Sequence, residues 1–214
     1  DMLSRTIYGA RVSLVVGFSA VAFGFLVGGT VGLISGFVRG IFDKITSFIM
    51  LVLLSFPALI LAILITSLME RSLWTIALTL GILSVAPVGR LARAASLVFA
   101  EREFVLAART MGAKPSHIML RELLPNVLIP MSALALLGTA IAIVAEGGLA
   151  FLGLSVEKGS TWGKLILTGA NSRQLEEAPW IAFVPIAALF LTVMALNFAG
   201  DRLRDYFDVR ELAL

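Results

Sequence analysis

Residues 126–152 read NVLIPMSALALLGTAIAIVAEGGLAFL, and Glu146 is the one charged side chain among them. An α-helix rises 1.5 Å per residue, so about 20 such residues cross the ~30 Å hydrocarbon core of a bilayer. Because lipid offers the backbone no hydrogen-bond partner, the stretch must be a helix or a strand of a closed barrel. Its length and its continuous apolarity favour a helix.

Four more stretches of this kind occur along the chain, and the alternating ten-residue segments of a membrane barrel are absent from the sequence. Hydrophobic residues make up 59% of the 214 and charged residues 14%, whereas soluble domains average about 25% charged. We therefore expect an all-α integral membrane protein with a single transmembrane domain. The five predicted spans are 12–38, 45–68, 73–89, 126–152 and 180–199.

The basic residues of the connecting segments predict the orientation of the chain. Eleven of the 17 Lys and Arg residues lie on one side and six on the other. Because cytoplasmic connectors carry the excess of positive charge, we expect the first side and the C-terminus to be cytoplasmic. The net charge of +3 then reflects topology, and we expect no nucleic-acid partner. The first side comprises 39–44, 90–125 and 200–214, and the second comprises 1–11, 69–72 and 153–179.

The cytoplasmic connector 90–125 is too long to be a simple turn. Gly112 is a natural helix end, Pro115 suits the first turn of a following helix, and Pro125 would close that helix. We expect two short helices hinged at Gly112 that cover a protein partner; a solvated loop along the membrane surface is the alternative. One side of the first helix is predicted to be apolar and small, formed by Phe104, Ala107, Ala108 and Met111.

The outer connector 153–179 carries charges that cancel and an apolar patch of Trp162, Leu165 and Ile166. This patch predicts a short helix that lies at the outer interface or dips into it.

A stripe of small residues runs along the first span at four-residue intervals. Such a stripe lets another helix approach closely. The contact either moves as the protein works or is static packing, and the sequence favours neither interpretation. The stripe consists of Ala20, Gly24, Gly28, Gly32 and Gly36.

Three other residues inside the spans are candidates for function. Pro57 and Pro185 each remove a backbone hydrogen bond and can bend their helices, which makes Pro57 a candidate gate residue. Glu146 lies towards the outer end of its span. It is either a pore-facing or gate-stabilising group, or an interfacial carboxylate paired with a helix end or a neighbouring Arg, and we favour the second interpretation.

The sequence gives no support for an enzyme. It contains no G-x-x-x-x-G-K-[ST] phosphate loop, no paired carboxylates and no Ser/His/Asp arrangement. It has no cysteine and one histidine, His117, which excludes a disulfide framework and a Cys/His zinc site. We expect His117 at the surface, and no catalytic residue, metal site or cofactor in this chain.

The connector 90–125 resembles the EAA loop of binding-protein-dependent ABC importer permeases. That motif has two alanines, a glycine four residues after the second, and a later Leu-Pro. Here these are Ala107, Ala108, Gly112 and Leu124-Pro125, and Glu103 matches a frequent acidic position of the peptide-permease branch. Two positions depart from the motif: Leu106 replaces its glutamate, and Glu122 replaces an aliphatic residue.

Further segments resemble the C-type subunit of dipeptide, oligopeptide and nickel importers. The last of them has Asp208-Val-Arg210 where Asp-Pro-Arg is common. The segments are 1–11 (DMLSRTIYGAR), 146–154 (EGGLAFLGL), Trp162-Gly163, Pro179-Trp180 and 197–210 (NFAGDRLRDYFDVR).

The resemblance implies a type I (MetI-like) permease fold in a bacterial inner membrane, with a sixth helix that would precede Asp1. It also implies a second permease subunit in a heterodimer, two cytoplasmic ATPases that bind ATP and Mg, and an extracytoplasmic solute-binding protein. The loop around 101–116 would form a coupling helix in a groove of one ATPase. There the small residues would allow close contact, and Arg109 or Arg102 would pair with acidic groups. The implicated residues are Glu103, Ala107, Ala108, Arg109, Gly112 and Pro125.

Peptides are the solute that this branch favours, although nickel and glutathione-like solutes share the subunit type. Two other classes remain open at this point. One is a secondary transporter or channel domain driven by an ion gradient, and the other is a membrane scaffold without a pore.

Overall fold

The fold is seen in a computed structural model that describes residues 1–157 and 159–211. Lys158, counted above among the outer basic residues, lies outside the described residues, as do the side chains of the Asp208-Val-Arg210 segment. The described chain is all-helical. Its elements are α1 (Met2–Gly24), π1 (Phe25–Gly29), α2 (Thr30–Val38), α3 (Gly40–Ser55), α4 (Ala58–Leu68), α5 (Leu73–Phe99), α6 (Glu103–Thr110), α7 (Pro115–His117), π2 (Ile118–Leu123), α8 (Leu124–Phe151), α9 (Trp162–Gly169), α10 (Ser172–Glu177) and α11 (Trp180–Glu211).

Within residues 1–157 and 159–211, four continuous helical segments are long and apolar enough to cross a membrane, and the bent pair α3–α4 raises the number to five if it counts as one span. The expected all-α membrane fold is therefore confirmed. The two segments α1–π1–α2 and α7–π2–α8 each run for 37 residues, which is longer than a bilayer needs. These helices extend past the apolar limits read from the sequence, because their backbone hydrogen bonds continue into polar residues.

Helices run into both ends of the connector 90–125. Residues 90–99 are the last turns of α5, which passes through Pro87 without a break. Pro125 does not close a helix; it lies in the first turn of α8, where a missing N–H costs least. The preceding π2 joins α7 to α8 through its wider hydrogen-bonding pattern. The chain is therefore helical without interruption from Pro115 to Phe151.

The two span prolines behave differently. The chain leaves the helix at Phe56, and α3 and α4 meet at 87° beside Pro57. Pro185, by contrast, lies in the second turn of α11, which continues past it without interruption.

The small-residue stripe of the first span faces α5. A Cβ atom on Gly24 would lie 1.9 Å from Ser84 Oγ, and one on Gly28 would lie 2.2 Å from the carbonyl oxygen of Val85. The Gly32 position is equally close to the Gly89 carbonyl oxygen. Gly36 faces the same helix, since its Cβ would lie 2.7 Å from the carbonyl oxygen of residue 93. The glycines thus allow two backbones to touch.

Helix α9 is enclosed by α1, α8 and α11. The Trp162 indole donates to the Thr6 carbonyl oxygen at 2.9 Å, and a Cβ on Gly163 would lie 2.6 Å from Gly147 Cα. Trp162 and Leu165 are buried. The predicted short helix is present, but its apolar patch packs into the bundle and does not face the membrane interface, because the chain itself supplies the surface that the patch covers.

Candidate functional site

The end of the bundle that carries α6 and α7 holds the residues singled out in the EAA-like loop. Helix α6 starts after Arg102 and ends at Thr110, and Gly112 in the following turn has a φ of 79°, which lies in the left-handed region. Pro115 then begins the next helix. A Cβ on Gly112 would meet nothing within 4 Å, so the glycine is required for its backbone conformation and not for close packing.

One face of α6 is anchored in the protein's own core. Val105 and Ala108 are buried and form a cluster with Ile118 of π2, against which Phe37 of α2 also packs. The predicted apolar side of α6 is only partly covered by the protein itself. Ala108 faces the core and Ala107 is exposed, because adjacent helical residues point about 100° apart.

Large apolar side chains are exposed on α6 and in the turn that follows it. Leu106 is 62% exposed and Met111 is 80% exposed. Leu120 of π2 is also exposed. Leu106 occupies the position where the resemblance expects a glutamate. We call Leu106 and Met111 the apolar tip.

Arg109 and Glu103 are both exposed on α6 but differ in their contacts. The Arg109 guanidinium lies 5.7 Å from the centroid of the Phe37 ring, a cation–π geometry that ties α6 to the end of α2. Glu103 lies in the first turn, where a negative charge stabilises the helix dipole.

Two ion pairs hold the neighbouring elements at this end. Arg93 of α5 binds Asp43 of α3 through two bonds, Nε to Oδ1 at 2.5 Å and Nη2 to Oδ2 at 2.7 Å. The same carboxylate accepts a bond from Ser35 of α2. Arg39 pairs with Glu101 at 2.8 Å, just before α6 begins. We call the first of these, between Asp43 and Arg93, the inner clasp, since Asp43 of α3 binds both Arg93 of α5 and Ser35 of α2.

The break between α3 and α4 exposes backbone polar groups in the middle of a predicted span. The last carbonyls of α3 and the first N–H groups of α4 have no partner within their helices. Ser55, Phe56 and Pro57 are all exposed in the described chain. Such backbone persists at membrane depth only where it lines water or is covered by protein.

Glu146 is buried at the other end of the bundle and is 1% exposed. Its Oε1 accepts a hydrogen bond from Ser155 at 3.3 Å, while Oε2 has no hydrogen-bond partner among the described residues. Ser155 in turn contacts Thr161. The favoured interpretation named a helix end or a neighbouring arginine as the partner, and no arginine is paired with this carboxylate in the described chain. The side chain lies between helices and not on an open surface.

Several of these features were missed from the sequence. Asp43 and Arg93 lie 50 positions apart, and no local pattern joins them. Phe37 carried no signal beyond its apolarity. Leu106 stands where the EAA motif has a glutamate, and this departure was the one signal in the sequence for its exposure. No group of three or more His, Cys, Asp or Glu side chains in residues 1–157 and 159–211 could hold a metal ion.

Comparisons with known proteins agree with one another. A family model described as "Binding-protein-dependent transport system inner membrane component" matches residues 28–211. The chain is 38% identical over 210 residues to a dipeptide transport system permease protein DppC of Alkalihalophilus pseudofirmus, covering 97% of this chain and 68% of the relative. It is 34% identical over 212 residues to an oligopeptide transport system permease protein OppC of Haemophilus influenzae, covering 99% and 68%. It is 32% identical over 209 residues to a glutathione transport system permease protein GsiD of Pectobacterium atrosepticum, covering 97% and 69%.

Solved structures show the same fold. An inward-facing MetNI methionine ABC transporter in its native crystal form matches with a TM-score of 0.75 at 21% identity, covering 96% of this chain and 97% of that one. A second crystal form of the same transporter matches with a TM-score of 0.73. The predicted type I, MetI-like fold is therefore confirmed. This chain belongs to the family of binding-protein-dependent transport system inner membrane components, the multi-pass permeases of ABC importers.

Proposed function

We propose that this chain forms one half of the membrane pathway of an importer for peptides, driven by ATPases that dock on its α6. The apolar tip is the observation that carries this proposal. Leu106 of α6 and Met111, directly after its end, are exposed, while Val105, Ala108 and the Arg109–Phe37 contact fix the helix to the rest of the protein. A rigidly mounted apolar surface beyond the ends of the spans has the properties of a docking site for another protein.

Peptides are the proposed solute class because the relatives at 38% and 34% identity are named as dipeptide and oligopeptide permeases. The proposed partners are a second permease subunit, two cytoplasmic ATPases and an extracytoplasmic solute-binding protein. ATP and Mg would be bound by the ATPases. In this arrangement α6 and the C-terminus are cytoplasmic, as the eleven-to-six division of basic residues favours.

The bend between α3 and α4 is the proposed lining of the pathway. Its unpaired backbone groups need water or a polar solute, and an aqueous pore supplies both. The inner clasp links α3 to α5, and α5 leads directly into the segment before α6. Movement of α6 by the ATPases would thus reach the bend through contacts within this chain, in an alternating-access cycle of two states.

The apolar tip provides a direct test. With a tag on this chain, Leu106→Glu and Met111→Glu should each abolish co-purification of the ATPase subunits, because a charge would be buried against the partner. Leu175→Glu is a matched control, since Leu175 is a half-exposed leucine on the short helix α10 at the opposite end. Undiminished ATPase binding by both tip variants would refute the docking role.

Uptake by membrane vesicles tests the energy source and the solute. We expect labelled dipeptide to accumulate when ATP is supplied and the ion gradients are collapsed. Uptake that requires an ion gradient and no ATP would favour the secondary-transporter alternative.

A further inference from the structure

The turn between α2 and α3 holds a backbone conformation that residues with a side chain rarely adopt. Arg39 has a φ of 60° and a ψ of −157°, and it is the one non-glycine residue with a positive φ in residues 1–157 and 159–211. This region of conformational space is essentially reserved for glycine, and any other residue there is disfavoured by a factor of about 5 to 150. Such strain persists only where the surrounding structure holds it, and it concentrates at sites that switch between conformations.

The side chain of Arg39 makes a contact that glycine could not make. Its Nη2 donates to Glu101 Oε1 at 2.8 Å, and Glu101 lies two residues before α6 begins. The two side chains are 48% and 71% exposed. An exposed ion pair of this kind shifts an equilibrium by no more than about fivefold. The pair therefore opposes the strain of the turn without outweighing it.

The other contacts across the turn form one hydrogen-bond network. Ser35 of α2 donates to Asp43 of α3 at 2.5 Å and shares a hydrogen bond with Thr46 of α3 at 2.8 Å. Asp43 is also the carboxylate of the inner clasp. An open surface depression of about 320 Å³ is lined by Arg39, Asp43 and Glu101 together, so the exposed pair and the inner clasp lie side by side.

Beyond these contacts, α3 is held lightly by the rest of this chain. Of its 16 residues, only Thr46 and Met50 are buried. An element with few buried contacts opens at a low cost in free energy. Because α3 leads through the 87° bend into α4, a change of angle at Arg39 would displace the bend as well. The turn is thus the base of an arm, made of α3 and α4, that carries the proposed lining of the pathway.

We propose that Arg39 is a positioning residue for coupling. Its ion pair with Glu101 latches the strained turn to the segment before α6. Movement of α6 by the ATPases breaks this latch and lets the turn relax, which swings α3 and α4. The strain favours one arrangement of the arm and the latch favours the other, as a switch between two states requires. The inference rests on the proposed function, since it needs ATPases that move α6.

The test uses the assembled transporter in proteoliposomes, with its ATPases, its solute-binding protein and a labelled dipeptide. The quantity measured is the dipeptide imported per ATP hydrolysed. Glu101→Gln breaks the latch and leaves the strain, so it should lower this ratio by about twofold to fivefold. Arg39→Gly removes both the latch and the strain, and it should lower the ratio at least as far. Arg39→Lys keeps a cation at the same position and should retain most of the parent ratio.

A second measurement separates coupling from stability. The thermal midpoint of Arg39→Gly should equal or exceed that of the parent, because glycine adopts the conformation of the turn without strain. A contact that only stabilises the fold would instead lower the midpoint and leave the ratio unchanged. Glu177→Gln is the matched control, since it breaks the exposed 3.0 Å ion pair with Arg173 on α10 and should change neither quantity.

The outcomes are distinct from those that test the proposed function. A parent that transports, with an unchanged ratio in both Arg39→Gly and Glu101→Gln, would overturn the latch and leave the proposed function intact. An equal loss in Glu177→Gln would also overturn it, as would loss of ATPase co-purification in Arg39→Gly, because the latch acts after docking. A parent that binds no ATPase would refute the proposed function and this inference with it.

Discussion

Adding one methyl group at Gly28 tests the contact between the first span and α5. The Cβ of Gly28→Ala would lie 2.2 Å from the Val85 carbonyl oxygen and 3.0 Å from its Cα, whereas ordinary contact begins near 3.4 Å. The two helices would have to separate by about 1.2 Å. The opposing atoms belong to a backbone, so no side-chain rotation can relieve the clash.

The magnitude follows from two opposing effects. Overpacking of this kind costs about 1–3 kcal/mol, and a backbone clash belongs near ~3 kcal/mol. Alanine regains about 1 kcal/mol over glycine through helix propensity. We therefore expect Gly28→Ala to lower the free energy of unfolding by about 2 kcal/mol.

The adjacent Gly29 is a matched control. It lies in the same segment π1, and its Cβ would meet only the end of the flexible Met131 side chain at 3.9 Å. Gly29→Ala should therefore be neutral or stabilising by up to about 1 kcal/mol. The two variants can be compared by unfolding the purified chain with increasing SDS in mixed micelles. Equal unfolding free energies for the two variants would refute the assigned close contact.

Three other variants test separate contacts. Asp43→Asn should cost about 2 kcal/mol because it leaves a half-buried Arg93 without its charge partner, and a double-mutant cycle with Arg93→Gln that shows no coupling would contradict the inner clasp. Gly112→Ala should cost about 1–2 kcal/mol through its positive φ and reduce ATPase docking; Gly112→Asn should recover part of both, measured by co-purification. Trp162→Phe should lower the thermal midpoint of the chain, by the ~1 kcal/mol of the lost bond to Thr6, and an unchanged midpoint would show that the bond contributes nothing.

The fold class was predictable because long apolar stretches have few alternatives. A bilayer admits helices or closed barrels, and the length of 126–152 decides between them. The ends of helices were less predictable. Apolarity marks where lipid ends, but helical hydrogen bonding runs on into polar residues, so α5 extends ten residues past its expected limit.

The candidate site was predictable in position and not in detail. The glycine and proline signals placed the turn at Gly112 and the start of α7 correctly. Which face of α6 packs inward depends on Phe37 and Ile118, which come from distant parts of the chain. The ion pair between Asp43 and Arg93 depends in the same way on how α3 packs against α5. A single sequence does not reveal that packing.

The segment π1 has a consequence for how this first span can vary. In a regular α-helix, residues four apart advance about 40° around the axis with each step, so Gly36 would point roughly 120° away from Gly24. A π turn takes one more residue per turn, which rotates the stripe back and keeps all four glycines on α5. Deleting a single residue from 25–29 would therefore leave an apolar span of nearly the same length and composition, yet swing Gly32 and Gly36 by about 100° and set larger side chains against α5.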